Sequence, residues 1–319
     1  MLEGGGAPIL GRMGKMAWLG IVAVFGVLAT GFWALARPVA ADDLRSMMVR
    51  DVEKLPSTAP TITEAYGADP LQFGELRMPP GKGPFPVAVI VHGGCWVKGF
   101  ATRSYMSPLA SELTAKGMAT WNVEYRQIGD KGAGWPGSYL DWASATDHLR
   151  ELAKRYPLDL NRVVATGHSA GATAALWLAA RGKIAKGSEI WAADPLKIAG
   201  VVAIDGPGNV HDFIGLDKDI CGQPVIQELM GGLPAEVPAR YAAADPVLLL
   251  PTGVPTSLVA SMVLEPEAAE AYRKAAEAKG DKVEVKDPVD VGHFGMMFPK
   301  TEAGGMVVGL ILKAGGIGR

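Results

Sequence analysis

The segment Gly167-His168-Ser169-Ala170-Gly171, near the middle of the chain, follows a Gly-x-Ser-x-Gly pattern. In this pattern the serine lies on a sharp turn between a strand and a helix, with its hydroxyl exposed. A serine hydroxyl becomes an effective nucleophile when an adjacent base removes its proton. Residues 162–166 have the apolar character of a short strand and residues 172–181 that of a helix. The pattern in this context predicts Ser169 as a nucleophile for acyl transfer.

A second segment, His92-Gly93-Gly94-Cys95-Trp96, directly follows a continuous apolar run at residues 87–91. Glycines allow a loop to turn its backbone N–H groups toward the carbonyl oxygen of a substrate. That oxygen becomes an oxyanion in the tetrahedral intermediate of acyl transfer, and donated hydrogen bonds stabilise it. We therefore expect the amides of Gly93, Gly94 and Ala170 to form an oxyanion hole.

The two motifs together resemble the esterase and kynurenine formamidase branch of the α/β-hydrolases, which includes feruloyl-esterase-like proteins. The resemblance covers roughly residues 70 to 315. It implies an α/β-hydrolase fold, and it implies structural roles for Tyr125, Arg126 and Asp147. Further segments that carry it are Val123-Glu124-Tyr125-Arg126, Gly134-Trp135-Pro136-Gly137, Asp141 and Gly292-His293-Phe294.

A histidine must supply the base, and the chain has five. His92 and His168 belong to the two motifs, where we expect them to brace loops, and His148 lies in a predicted helix. His293 follows the last predicted strand, as the order serine, acid, histidine of this fold requires. We therefore predict His293 as the base, with His211 as the alternative.

The acid of the site is where the sequence departs from its relatives. The resemblance leads us to expect an aspartate after the strand that begins at Pro255, but residues 259–267 contain none. Glutamate can orient the imidazole in the same way. We therefore predict Glu265 as the acid, with Glu267 and Asp205 as alternatives.

Apolar runs and helical periodicities alternate along the chain after residue 86. Strands are predicted near residues 87–91, 119–125, 162–166, 199–204, 256–263 and 282–286, and helices near residues 103–116, 139–155, 172–181, 267–279 and 301–313. This alternation predicts an α/β fold with a mostly parallel sheet and helices on both faces. Residues 207–254 are poorly periodic, and we expect them to form part of the wall over the site.

Composition excludes several other classes of protein. The 319 residues are 49% hydrophobic and 20% charged, which is typical of a globular chain with a large core. The formal net charge of -2 and the lack of a basic run argue against binding to nucleic acid. Cys95 and Cys221 lack the paired spacing of a zinc site, and their spacing does not predict that they form a disulfide.

The start of the chain predicts export from the cytoplasm. Arg12 and Lys15 precede an uncharged apolar run at residues 16–36, and small residues at Val39 and Ala41 fit a signal-peptide cleavage site. The run is also long enough for an uncleaved membrane anchor. We therefore assign residues 1–41 to a signal peptide or N-terminal anchor and residues 42–319 to one α/β-hydrolase domain that is periplasmic or secreted.

The two glycine-containing motifs and His293 predict a serine hydrolase that cleaves small-molecule carboxylic esters through an acyl-enzyme intermediate and needs no cofactor or metal. An arylformamidase-type amidase is the nearest alternative, because the His-Gly-Gly-x-Trp motif allows it equally. The altered acid segment suggests a third possibility, which is a binding protein that kept the hydrolase fold and lost most of its activity.

Overall fold

The computed structural model describes residues 44–318. The predicted signal or anchor segment, residues 1–41, lies outside the described residues. Between residues 44 and 318, no helix combines the length and the apolar character needed to cross a membrane.

The described chain contains one eight-stranded sheet with the strand order β1-β2-β4-β3-β5-β6-β7-β8. Strand β2 pairs antiparallel with β1 and β4, and the remaining pairs are parallel. The strands are β1 Ile62–Ala65, β2 Phe73–Arg77, β3 Phe85–Val91, β4 Ala119–Val123, β5 Leu158–His168, β6 Gly200–Ile204, β7 Thr256–Val259 and β8 Val283–Lys286. The predicted mostly parallel sheet is confirmed.

Helices connect the strands and cover the sheet. They are α1 Val49–Glu53, α2 Ser107–Ala115, α3 Gly137–Asp147, α4 Leu149–Leu152, α5 Ala170–Ala180, α6 Leu216–Cys221, α7 Val225–Met230, α8 Pro238–Ala244, α9 Pro266–Glu277, α10 Gly292–Gly295 and α11 Glu302–Ala314. Short 3-10 helices span Arg103–Met106, Arg181–Lys183 and Pro246–Leu249.

Strand β3 shows how both faces of the sheet are buried. Val87, Val89 and Val91 point into a core that includes residues of α3, α5 and α9. Ala88 and Ile90 point to the opposite face, into a core with α2 and α11. Alternate side chains of a strand point to opposite faces, so a strand buried on both sides is apolar throughout. The predicted helices on both faces are confirmed.

The predicted wall, residues 207–254, contains more regular secondary structure than its sequence indicates. It contains α6, α7, α8 and a 3-10 helix, each seven residues or shorter. Helices this short contain too few turns to give a clear periodicity in the sequence.

A disulfide joins Cys95, in the loop after β3, to Cys221, the last residue of α6. The sequence did not predict this bond, because a separation of 126 residues carries no information on proximity. The fold brings the two Cα atoms to 5.9 Å, which is within the usual range for a disulfide. The bond links the glycine loop to the wall.

Candidate active site

Ser169 lies on the turn between β5, which ends at His168, and α5, which begins at Ala170. Its φ and ψ are 58° and -126°, a conformation that non-glycine residues rarely adopt. The turn is pressed against β3, because a Cβ on Gly171 would come within 2.0 Å of the Val91 carbonyl oxygen. The predicted strand, sharp turn and helix are therefore present around Ser169.

His293 lies in α10, after β8, and its ring contacts the serine turn. The ring centroids of His293 and His168 are 4.3 Å apart, and His168 directly precedes Ser169. Within residues 44–318, no hydrogen bond joins Ser169 Oγ to His293. Such a bond commonly forms or tightens only when substrate binds. The structure thus brings His293 to the neighbourhood of Ser169, as the sequence order predicts.

The carboxylate against His293 belongs to Asp205, directly after β6. Asp205 Oδ2 lies 2.6 Å from His293 Nδ1, and the Asp205 side chain is fully buried. Glu265 and Glu267 are both exposed, and Glu265 occupies the N-cap position of α9. The prediction of Glu265 as the acid is therefore wrong, and the alternative Asp205 has the required contact.

The loop after β7 binds Asp205 instead of supplying an acid of its own. The backbone amides of Met262, Val263 and Leu264 donate to the Asp205 carboxylate at 3.3, 3.0 and 2.9 Å. A buried carboxylate costs free energy unless its oxygens accept hydrogen bonds. This loop therefore fixes the orientation of Asp205, with Val263 and Leu264 bound to the oxygen that His293 does not contact.

The pKa of Asp205 follows from these contacts. Burial by itself raises the pKa, but the hydrogen bond and charge of His293 and the amide of Leu264 together outweigh burial. The pKa of Asp205 lies below its usual value, so the group is an ionised carboxylate at neutral pH.

The glycine loop after β3 differs in part from the expected oxyanion hole. The Gly93 amide donates to Tyr105 Oη at 2.6 Å, so the expectation that it faces an oxyanion is wrong. Within residues 44–318, the amides of Gly94 and Ala170 have no hydrogen-bond acceptor. Gly93 still lies beside the serine, since a Cβ on it would come within 2.8 Å of Ser169 Cβ.

His92 braces this loop, as the sequence predicts. Its Nδ1 lies 2.7 Å from the Gly93 carbonyl oxygen and its Nε2 lies 2.7 Å from Glu124 Oε1. Its ring stacks on Tyr125 at 4.4 Å. The Tyr125 hydroxyl also donates to the His92 carbonyl oxygen, so both aromatic residues stabilise the start of the loop.

The other two histidines have partners of their own. His148 pairs with Glu64 at 2.7 Å, and the amide of His211 donates to Asp245 in the wall. The histidine that contacts Asp205 is His293. The expected structural roles are also found, because Arg126 pairs with Asp141, and Asp147 pairs with Arg181.

The structure contains an apolar cavity of about 230 Å³, and its first lining residue in the chain lies two residues after Asp205. Val263 and Leu264, whose amides bind Asp205, form part of its lining. The other lining residues include Pro207, Phe213, Leu216 and Tyr272. Between residues 44 and 318, no group of three or more His, Cys, Asp or Glu residues is arranged to hold a metal ion.

Comparison with known proteins agrees with this architecture. The family model described as BD-FAE matches residues 75–261, and no curated protein matches the sequence. Esterase B from Lactobacillus rhamnosis is 20% identical, with a TM-score of 0.66 over 82% of this chain and 88% of that one. A thermophilic esterase from Thermogutta terrifontis is 18% identical, with a TM-score of 0.62 over 79% of this chain and 92% of that one.

A larger protein contains a similar unit. A bifunctional GH43-CE protein from Bacteroides eggerthii is 19% identical, with a TM-score of 0.65 over 79% of this chain and 37% of that one. At these identities the likenesses establish a shared fold.

The lowered pKa of Asp205 predicts how stability depends on pH. A carboxyl group with a lower pKa in the folded chain stabilises the fold at pH values above its unfolded pKa of about 4, and this stabilisation is lost as the pH falls through the folded pKa. We expect the free energy of unfolding of Asp205→Asn, measured in urea between about pH 7 and pH 3, to fall less with acid than that of the wild type. Asp287→Asn, at an exposed position, should keep the wild-type slope. An unchanged slope for Asp205→Asn would contradict the prediction.

Proposed function

The chain belongs to the BD-FAE family, an esterase branch of the α/β-hydrolases, by a match over more than half of its length, and from this we propose that it cleaves carboxylic esters through an acyl-enzyme intermediate. Ser169 is the nucleophile, His293 the base and Asp205 the acid. The observation that carries the proposal is the contact of buried Asp205 with His293 beside the strained turn at Ser169.

The reaction has two balanced steps. Ser169 Oγ attacks the ester carbonyl while His293 Nε2 takes its proton, and the collapse of the tetrahedral intermediate releases the alcohol with that proton. Water then attacks the acyl-enzyme while His293 takes its proton, and the collapse of the second intermediate returns that proton to Ser169 Oγ as the carboxylic acid leaves. Asp205 orients the ring through Nδ1 and stabilises its charged form.

We assign the oxyanion hole to the amides of Gly94 and Ala170. Both are unpaired within the described part of the chain, and Ala170 is the first residue of α5. The N-terminus of a helix carries partial positive charge and favours an anion. Removal of one such donor typically costs about 3 kcal/mol of transition-state stabilisation.

The contact of Asp205 with His293 weakens the case for an impaired binding protein. That alternative rested on the missing aspartate after β7. A carboxylate from β6 supplies the same contact, at 2.6 Å, so the departure in sequence does not leave His293 without an acid.

The first test is the reactivity of Ser169. We expect a fluorophosphonate probe to label the wild-type protein and short-chain nitrophenyl esters to be hydrolysed, because a serine with an oriented base attacks both. Ser169→Ala is the control and should show neither. Labelling that persists in Ser169→Ala would contradict the assignment of the nucleophile, and faster cleavage of formylkynurenine than of the esters would favour the amidase.

The second test is the identity of the acid. We expect Asp205→Asn to lower kcat by about 10⁴-fold, because an uncharged amide neither fixes the tautomer of His293 nor stabilises its charged form. Glu265→Gln should leave kcat unchanged, since Glu265 is exposed at the end of a helix. A large loss in Glu265→Gln with little loss in Asp205→Asn would restore the original assignment.

We also propose that the domain works outside the cytoplasm. The apolar N-terminal run and the Cys95–Cys221 bond support this, because disulfides persist in oxidising compartments. Protein isolated from its native cells in the presence of an alkylating reagent should carry no alkylated cysteine. Mass spectrometry would contradict the proposal if it found both cysteines alkylated.

A further inference from the structure

The Tyr105 side chain contacts both motifs of the proposed site. Tyr105 lies in the 3-10 helix Arg103–Met106 and is 1% exposed. Its hydroxyl oxygen accepts a hydrogen bond from the Gly93 amide at 2.6 Å and lies 3.0 Å from His168 Nδ1. One hydroxyl group therefore connects the glycine loop to the serine turn.

His168 extends this connection to the segment that carries the base. Its Nε2 lies 2.9 Å from the backbone carbonyl oxygen of His293. A carbonyl oxygen only accepts, so Nε2 must carry a proton, and in the neutral ring Nδ1 then accepts. The Tyr105 hydroxyl then donates to Nδ1, and its oxygen is free to accept from Gly93.

These contacts form one continuous series of hydrogen bonds from the Gly93 amide through Tyr105 and His168 to the His293 carbonyl oxygen. A single arrangement of protons satisfies every group in it. The series requires His168 to be neutral. Burial, followed by the charge of His293, lowers the pKa of His168 to about 3, although Asp205 acts in the opposite direction.

Phe294 packs against this series of hydrogen bonds. Its ring centroid lies 6.0 Å from that of Tyr105, 5.3 Å from that of His168 and 4.8 Å from that of His293. Hydrogen bonds in the low dielectric of the protein interior are electrostatically stronger than in water.

We propose that Tyr105 and His168 are positioning residues, which hold the glycine loop and the His293 segment in fixed register with Ser169. The inference rests on the proposed function, because positioning matters only if these groups act together. Neither residue takes part in proton transfer with the substrate. Both act through the backbone, Tyr105 at Gly93 and His168 at His293.

The kinetic test separates the two ends of the series. Tyr105→Phe removes the link to Gly93. His168→Asn keeps an acceptor near the Nδ1 position and removes the donor to His293, whereas His168→Gln keeps a donor near the Nε2 position. Tyr139→Phe is the matched control, since Tyr139 is also fully buried and its hydroxyl contacts Met230 instead.

We expect Tyr105→Phe and His168→Asn to lower kcat about ten- to hundred-fold with KM nearly unchanged, because small displacements of catalytic groups reduce transition-state stabilisation. His168→Gln should recover part of the loss seen in His168→Asn, and Tyr139→Phe should behave as wild type. The proposal would be overturned if kcat were unchanged in Tyr105→Phe and His168→Asn, or if Tyr139→Phe lowered kcat as much as they do.

A second measurement does not depend on activity. In ¹⁵N–¹H correlation spectra, with His168→Gln for assignment, His168 should be the neutral Nε2–H tautomer from neutral pH down to about pH 5, well above its lowered pKa. The same state should persist in Ser169→Ala, which abolishes hydrolysis. A Nδ1–H tautomer, or protonation of His168 near the usual histidine pKa, would overturn the inference even if ester cleavage is confirmed. If the wild-type protein has this tautomer but does not cleave esters, the proposed function is contradicted instead.

Discussion

The close packing of backbone around Ser169 is the constraint on which the site depends. Gly171 of the turn packs against β3, and Gly206 of the loop after β6 packs against the turn. A Cβ added to Gly206 would lie 1.9 Å from the Ser169 carbonyl oxygen. Side chains at these glycines would force the strands apart. Because the carboxyl ends of β3, β5 and β6 converge here, the residues that follow each strand become neighbours of the serine hydroxyl.

This convergence explains how Asp205 contacts His293 from a position earlier in the chain than that of the predicted acid. Strand β6 pairs directly with β5, so the residue after β6 lies one strand away from the serine turn. The loop after β7 lies one strand further and supplies three amides to the carboxylate. A carboxylate with several fixed donors keeps its charge despite complete burial. That negative charge stabilises a protonated imidazole ring.

Two adjacent histidines have opposite electrostatic environments. His293 is partly exposed and has a carboxylate on Nδ1, whereas His168 is buried between a tyrosine hydroxyl and a backbone carbonyl. The pKa of His168 falls to about 3, so its ring is neutral at neutral pH. The contrast arises from the partners of each ring, since the rings lie only 4.3 Å apart.

Local patterns in the sequence were enough to predict the strand, turn and helix at Ser169, the parallel sheet and the histidine after β8, because these depend on short-range periodicity and on glycines at close contacts. The partner of His293 was not predictable in this way. Asp205, Glu265 and Glu267 are chemically suitable alternatives, and only the packing of β6 beside β5 selects among them. The engagement of the Gly93 amide by Tyr105 and the bond between Cys95 and Cys221 were likewise decided by the tertiary structure, because each joins residues whose proximity depends on how the whole sheet is assembled.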